Sequence, residues 1–406
     1  MTMPRDWEED PEDDPEDRGE SFERSDADDD SAEASADDQA LQLALLTDGS
    51  ALRLTGPGAG SAVAAEPVAE AVVTARLLTR DEALSGRAPR LLVHRAAHGS
   101  DALPRLMAGI VAATGGRVPL GAVAPLPRST AASHSQWLSD CAAVSVRIAD
   151  PAGFKLDGTV VPGAPPSLRS LRWCPYLGAD PLLIGDVLDA QRQVGSNLLL
   201  SPGRAIDPAD PQNSLDRAFA EADQALTELQ PGERLALNLT LPRSWLTRSV
   251  LRDQLLAHLL DQEQFDIWYI RVQWPSSLRS TEQPVDFTLL EGYKRLAQLA
   301  ADEERILLLP QTGLTGWLQL AFGATGFGSG LPGADQAFKE PVGGGSGAAP
   351  IERYFEPALL HSVERTVHDI TVCLDRAYTP VLRQSNLPHD TTVPWWGNRA
   401  IHYEFA

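Results

Sequence analysis

Two glycine-bearing segments late in the chain, Pro310-Gln311-Thr312-Gly313 and Gly326-Phe327-Gly328-Ser329-Gly330, have the composition of an anion cradle. Glycine lets backbone N–H groups approach a phosphate closely, and a helix starting near Thr312 would add its own unpaired N–H groups. The bland use of the same glycines, tight turns and close strand–helix packing, weighs slightly more. Around this pair, Arg204, Asn238, Arg271 and Gln273 fall at the ends of apolar runs. Trp274, just ahead of Pro275, is the best candidate for an aromatic wall on which a ligand could stack.

Such a set is rich in donors and holds one carboxylate, Asp150. Glycoside hydrolysis uses two carboxylates, and most proton chemistry uses an acid and a base together. Neither pair is visible, so the rim suits binding of an anion, a base or a sugar better than bond breaking. Asp150 is the candidate acid/base. It closes the run Val-Ser-Val-Arg-Ile-Ala-Asp and precedes Pro151. In an extended strand Arg147, three residues earlier, points to the opposite face. Arginines across the mouth, Arg204 or Arg271, would favour the ionised carboxylate, which suits an anchor and not a general acid.

Metal and nucleotide chemistry is disfavoured. His94 and His98 could meet on one helical turn, but only Asp150 offers a third ligand, and Cys373 with His389 makes just two. No P-loop, Rossmann glycine fingerprint, nucleophile elbow or zincin motif occurs. No metal and no cofactor is expected.

The elements that position these residues follow a rhythm of short apolar runs and amphipathic stretches. Strands are predicted at 91–95, 118–124, 143–149, 197–201, 234–240, 266–273, 305–310 and 325–328. Helices are predicted between them, with Leu289, Leu290, Tyr293, Leu296 and Leu299 on one face of 286–301 and a more apolar helix, with Trp317 in its core face, at 312–322. Eight repeats of this alternation imply an α/β fold, a parallel (β/α)8 barrel that could be degenerate, with an open doubly wound sheet as the alternative. Functional groups then gather where the strands end. The organisation read from the sequence is a tail at 1–38, a small β-rich or mixed lead-in at 39–88, a barrel body at 89–330 with an insertion at 151–180, a Gly-rich loop at 331–350, and a C-terminal helix from Pro357 within a tail at 351–406.

The 406-residue chain carries a net charge of −22. Residues 1–38 hold eighteen acids and three bases, net −15, and almost no aliphatic side chains, which predicts a disordered tail. The body, at −7, is too acidic overall to favour direct nucleic-acid binding. Only Lys155, Lys294 and Lys339 are lysines against 31 arginines, the balance of a high-GC genome. Three unspaced cysteines, no secretory signal and no membrane-length apolar run predict a soluble, cytoplasmic protein away from membranes.

The stretch Leu307–Gly330 (LLLPQTGLTGWLQLAFGATGFGSG), with the Cys373 region behind it, resembles the queuine tRNA-ribosyltransferase barrel superfamily over about 143–390. That family's catalytic aspartates have no clear counterpart here, and its zinc cluster would be reduced to Cys373 and His389. The resemblance implies a barrel of nucleic-acid-related ancestry that has lost its chemistry. Two functions follow as expectations. One is a non-catalytic barrel that binds or scaffolds within an intracellular multiprotein assembly, its protein partner held by the acidic tail or the barrel surface. The other is an enzyme acting on a phosphorylated or nucleoside-type ligand in a transglycosylase-like way. A scaffold should have its mouth plugged; an enzyme should keep a polar pocket there.

Overall fold

Continuous apolar runs become strands buried on both faces, as a parallel sheet under helices requires. The computed structural model describes residues 77–86, 88–95, 101–156, 174, 176, 181–275, 284, 286–330 and 337–339, and the backbone of 353–356 and 361–364. The strands are β1 (Arg90–His94), β2 (Leu120–Pro125), β3 (Val146–Asp150), β4 (Leu199–Leu200), β5 (Leu235–Leu241), β6 (Ile267–Val272), β7 (Ile306–Leu309) and β8 (Gly326–Gly330). They form one sheet in the order β3-β2-β1-β8-β7-β6-β5-β4, all parallel. The first strand pairs with the last, Leu92 opposite Gly328, and a bridge between the edge strands β3 and β4 makes the sheet a nearly closed (β/α)8 barrel.

Helices follow the strands: α1 (Arg80–Ser85) precedes β1, then α2 (Ala102–Ala113), α3 (Ala131–Asp140), α4 (Ile184–Gln193), α5 (Pro211–Thr227), α6 (Ser244–Thr247), α7 (Ser249–Leu260), α8 (Phe287–Asp302) and α9 (Gly313–Gln319). Local chemistry starts them. Pro211 opens α5, where its missing N–H costs nothing, and the Asp286 carboxylate accepts the N–H groups of Thr288 (2.9 Å) and Leu289 (3.3 Å) to cap α8. The stretch expected as one helix from Ser244 is two, α6 and α7, broken at Arg248. Trp317, expected in the core, is half exposed on α9. Among the described residues no helix is long and apolar enough to cross a membrane.

The least complete seam lies between β3 and β4. A single bridge joins them, Ile148 to Leu198, and side chains stand in for the missing rungs. Asn197 Oδ1 accepts the Arg147 N–H (2.7 Å) and Ser196 Oγ accepts that of Ala149 (3.2 Å). Above them the buried Gln191 amide of α4 inserts like a piece of strand: its Nε2 donates to Leu200 O (2.8 Å) and its Oε1 accepts from Leu200 N (2.8 Å).

Inside the barrel, Leu92, Val123, Ile148, Leu200, Tyr269 and Leu308 pack in layers. Strand β8 contributes only Gly326, Gly328 and Gly330 to the interior, because Phe327 turns outward against α9. Neighbours take the space. A Cβ on Gly328 would lie 2.5 Å from His94 Nε2, and one on Gly326 would lie 3.1 Å from Arg90 Cβ. The segment 39–88, expected to be β-rich or mixed, is described almost wholly from residue 77 on, and there it forms α1. A Thr79–Glu82 capping box starts this helix, and its Ala83 and Leu84 plug the barrel floor. Buried Arg90 closes its other end, donating from Nε to Ala83 O (2.6 Å) and from Nη2 to Leu84 O (2.6 Å). The floor therefore belongs to the barrel.

Beyond the barrel, β9 (Arg353–Glu356) pairs antiparallel with β10 (His361–Glu364). This corrects the helix expected from Pro357, at least over 361–364. Tyr354, Phe355 and Val363 are strand formers, and the helical spacing of the later residues concealed them. The 1–38 tail, His98, Cys373, His389 and most of the 151–180 and 331–350 segments lie outside the described residues.

Candidate ligand site at the barrel mouth

Period two in the strands decides what faces the mouth. On β3, Val146, Ile148 and Asp150 point inward, and Arg147 and Ala149 outward. On β6 the inward set is Ile267, Tyr269 and Arg271. The topology thus brings Asp150 and Arg271 together, 3 % and 1 % exposed, as a buried ion pair between Oδ2 and Nη2.

Both members are fully committed. Asp150 Oδ1 accepts the Ala152 N–H at 2.8 Å, and the Tyr269 hydroxyl donates to Oδ2 at 3.4 Å. Burial first, and Asp150 second, raise the Tyr269 pKa well above its ordinary value, so the phenol keeps its proton. Arg271 donates from Nε to Gln311 Oε1 (2.8 Å) and from Nη1 to Thr240 Oγ1 (3.3 Å). Aromatic rings cover its planar guanidinium, with Phe154 at 5.0 Å, Phe338 at 5.5 Å and Tyr269 at 5.7 Å from ring centroid to Cζ.

Two described straps carry the outer rings. Phe154 sits in a short 3-10 turn, Gly153–Lys155, after β3; Gly153 is packed so closely that a Cβ would strike Pro202 O. Phe338 lies in 337–339, tied down by Trp274 N–H to Phe338 O (2.7 Å) and Phe338 N–H to Gln311 O (3.2 Å). The rings meet edge-on at 4.8 Å.

Two buried side-chain nitrogens near the ends of β1 and β6 have no partner. His94, 2 % exposed at the end of β1, has an unpartnered Nε2, and Gln273, 4 % exposed just past β6, an unpartnered Nε2. Burial holds the His94 pKa down to about 3, with Asp150 pulling it up and Arg271 and Arg128 pushing it down, so the imidazole is neutral.

Other residues singled out from the sequence sit elsewhere. Arg204 pairs with Glu221 of α5 (2.6 Å), outside the mouth. Asn238 points inward but is tied to the end of β4, donating from Nδ2 to Ser201 O (3.1 Å). Trp274 does not wall the mouth: it is buried and donates its indole N–H to the Tyr293 hydroxyl (3.0 Å). Gln311 and Gly313 take left-handed backbone, φ 53° and 47°. Between them Thr312 is pinned by its N–H to Gly328 O (3.0 Å) and its hydroxyl to Leu309 O (2.6 Å). Gly316 allows this contact, since a Cβ there would strike Thr312 Oγ1. Gly316, Gly326 and Gly328 are closely packed against their neighbours, and Ser329 lies on the outward-facing register of β8.

Sequence reasoning missed Tyr269, Phe154 and Phe338. Tyr269 was readable, two residues before Arg271 on the same face. The two phenylalanines reach the mouth through turns that carry no period. No known family model matches the chain, and no curated protein matches it.

Proposed function

We propose that this barrel works as a non-catalytic binding or scaffold component of an intracellular multiprotein assembly. The observation that supports the reading is the state of its mouth. Where barrel enzymes keep a reactive group open to substrate, Asp150 is buried, accepts from Ala152 and Tyr269, and is salt-bridged to Arg271, whose guanidinium Phe154 and Phe338 cover. A carboxylate held this way serves as a structural anchor and not as a proton carrier. The partner is assigned to the acidic segment 1–38, net −15, through a basic surface on the other protein.

The test compares the full chain with one lacking 1–38, as baits in the native host. A stoichiometric partner held by the full chain and lost by the shorter one, in high salt as well as on truncation, is the expected result. The melting temperature should stay within about 2 °C, since so charged and aliphatic-poor a segment adds no core. Equal capture by both baits refutes the assignment to the tail.

A second reading keeps Asp150 as the acid/base of a transglycosylase-like enzyme on a phosphorylated or nucleoside-type ligand. The unpartnered His94 and Gln273 nitrogens favour it. There the likeness to queuine tRNA-ribosyltransferase barrels would extend from fold to ligand. Under the scaffold reading, Asp150→Asn leaves any measurable turnover within about tenfold, less than the roughly 10²–10⁴-fold of a general acid or base. A larger loss in folded protein promotes the enzyme.

A further inference from the structure

The cations of the mouth are out of keeping with the chain around them. In a protein of net charge −22 with three lysines, two of those lysines directly follow the phenylalanines of the straps, Phe154-Lys155 and Phe338-Lys339. Lys155 is exposed, and its ammonium lies within electrostatic reach of Arg128, Arg271 and Asp150. Arg128 also reaches His94. Among the described residues the carboxylate within electrostatic reach of both Lys155 and His94 is Asp150, whose Oδ2 pairs with Arg271. His94, buried within electrostatic reach of Asp150 and Arg271, has an unpartnered Nε2, and so has buried Gln273, two residues beyond Arg271 along the same chain. A buried polar nitrogen left unpaired costs roughly 1–3 kcal/mol, so these two point to a missing acceptor.

We propose that the mouth is a latent oxyanion site: a small ligand bearing a carboxylate or phosphate group takes the place of Asp150 at Arg271, receives hydrogen bonds from His94 and Gln273, and enters past Lys155. Asp150 is then an internal stand-in for the ligand. Arg271 suits this role because its planar guanidinium is already oriented by Gln311 and Thr240 and covered by the two strap rings, leaving the Asp150 edge as the exchangeable one. A neutral His94 can present Nε2–H to the anion without bringing a charge into the barrel. The proposal goes beyond the scaffold reading and stands without it.

The full chain is titrated with sodium phosphate and sodium acetate against sodium chloride at equal ionic strength, by calorimetry and thermal shift. Binding of one probe over chloride is expected, and which one binds identifies the group. Asp150→Asn removes the competing charge and should tighten binding about tenfold, the scale of one charge-assisted hydrogen bond. Adding Arg271→Gln to that variant should abolish binding. Lys155→Met, at an exposed residue, should weaken binding several-fold with an unchanged melting temperature in chloride. Where Asp150→Asn does not fold, Phe154→Ala replaces it; it unroofs the pair and should also tighten binding. The proposal is overturned if neither variant binds either probe better than the native chain, or if Lys155→Met binds as the native chain does. Failure of both variants to fold leaves the Lys155→Met comparison to decide.

Discussion

At the residue scale, Asp150 and Arg271 are each tolerable only because of the other. A buried guanidinium deprived of its counter-charge costs about 3–5 kcal/mol, whereas replacing both charges by neutral groups of similar shape can cost little. Asp150→Asn should therefore lower the free energy of unfolding by about 3–5 kcal/mol, and the Asp150→Asn, Arg271→Met double variant by less than Asp150→Asn alone. Urea unfolding of the four proteins in the cycle checks this. Additive losses would mean that the two side chains act apart, contrary to their contact. This pair was largely legible in the sequence, because both members end strands whose alternation fixes their face. Arg204 and Trp274 were not. Arg204 follows Gly203, whose φ of 75° turns the chain out of alternation, and Trp274 lies one residue beyond the inward Gln273.

At the element scale, the barrel could be counted but its weak seam could not be seen. Eight apolar runs announce eight strands, and their ends shift by one to three residues. Strand β4 is the exception: of the predicted 197–201, only Leu199–Leu200 pair as strand. The rest of the seam is made by Ser196, Asn197 and Gln191, whose role depends on a fold-level contact that no local pattern encodes. Gln191 lies on the inner face of α4, where a leucine would satisfy the helical pattern equally well. Gln191→Leu would leave the Leu200 N–H and C=O buried without partners. We expect a loss of about 2–6 kcal/mol, counting roughly 1–3 for each of the two orphaned groups. Amide exchange at Leu200 should quicken far more than in β5 or β6. A variant as stable as the native chain would show that water or backbone shifts can fill the seam.

At the scale of the whole molecule, the charge that dominates the composition and the groups that govern acid stability are in different places. Most of the net −22 sits in residues 1–38, so lowering the pH discharges the tail without relieving much repulsion in the body. The body is sensitive through two buried histidines. His94 faces Asp150, Arg271 and Arg128, and burial sets its pKa at about 3. His134 is lowered to about 4, by burial first and by Arg95 next; Arg95 Nη1 donates to its Nδ1 at 2.8 Å, and its Nε2 faces Leu126 O at 3.2 Å. In the unfolded chain both titrate near 6.5. Between 6.5 and the folded values the unfolded state binds more protons, so stability is whole above pH 6.5 and falls as pH drops through this window. From pH 7 to pH 5, where carboxylates still scarcely titrate, each histidine should remove about 2 kcal/mol. The carboxylates held low by arginine, Glu233 and Asp81, add their share as pH falls through their ordinary values of 4.5 and 3.8 and below. Urea midpoints at pH 7, 6 and 5 should therefore decline steadily, and His134→Gln should remove about half of the decline. A flat profile above pH 5 would mean that both imidazoles find an acceptor on protonation; for His94 the carboxylate within reach is Asp150, and its protonation would then draw that carboxylate away from Arg271.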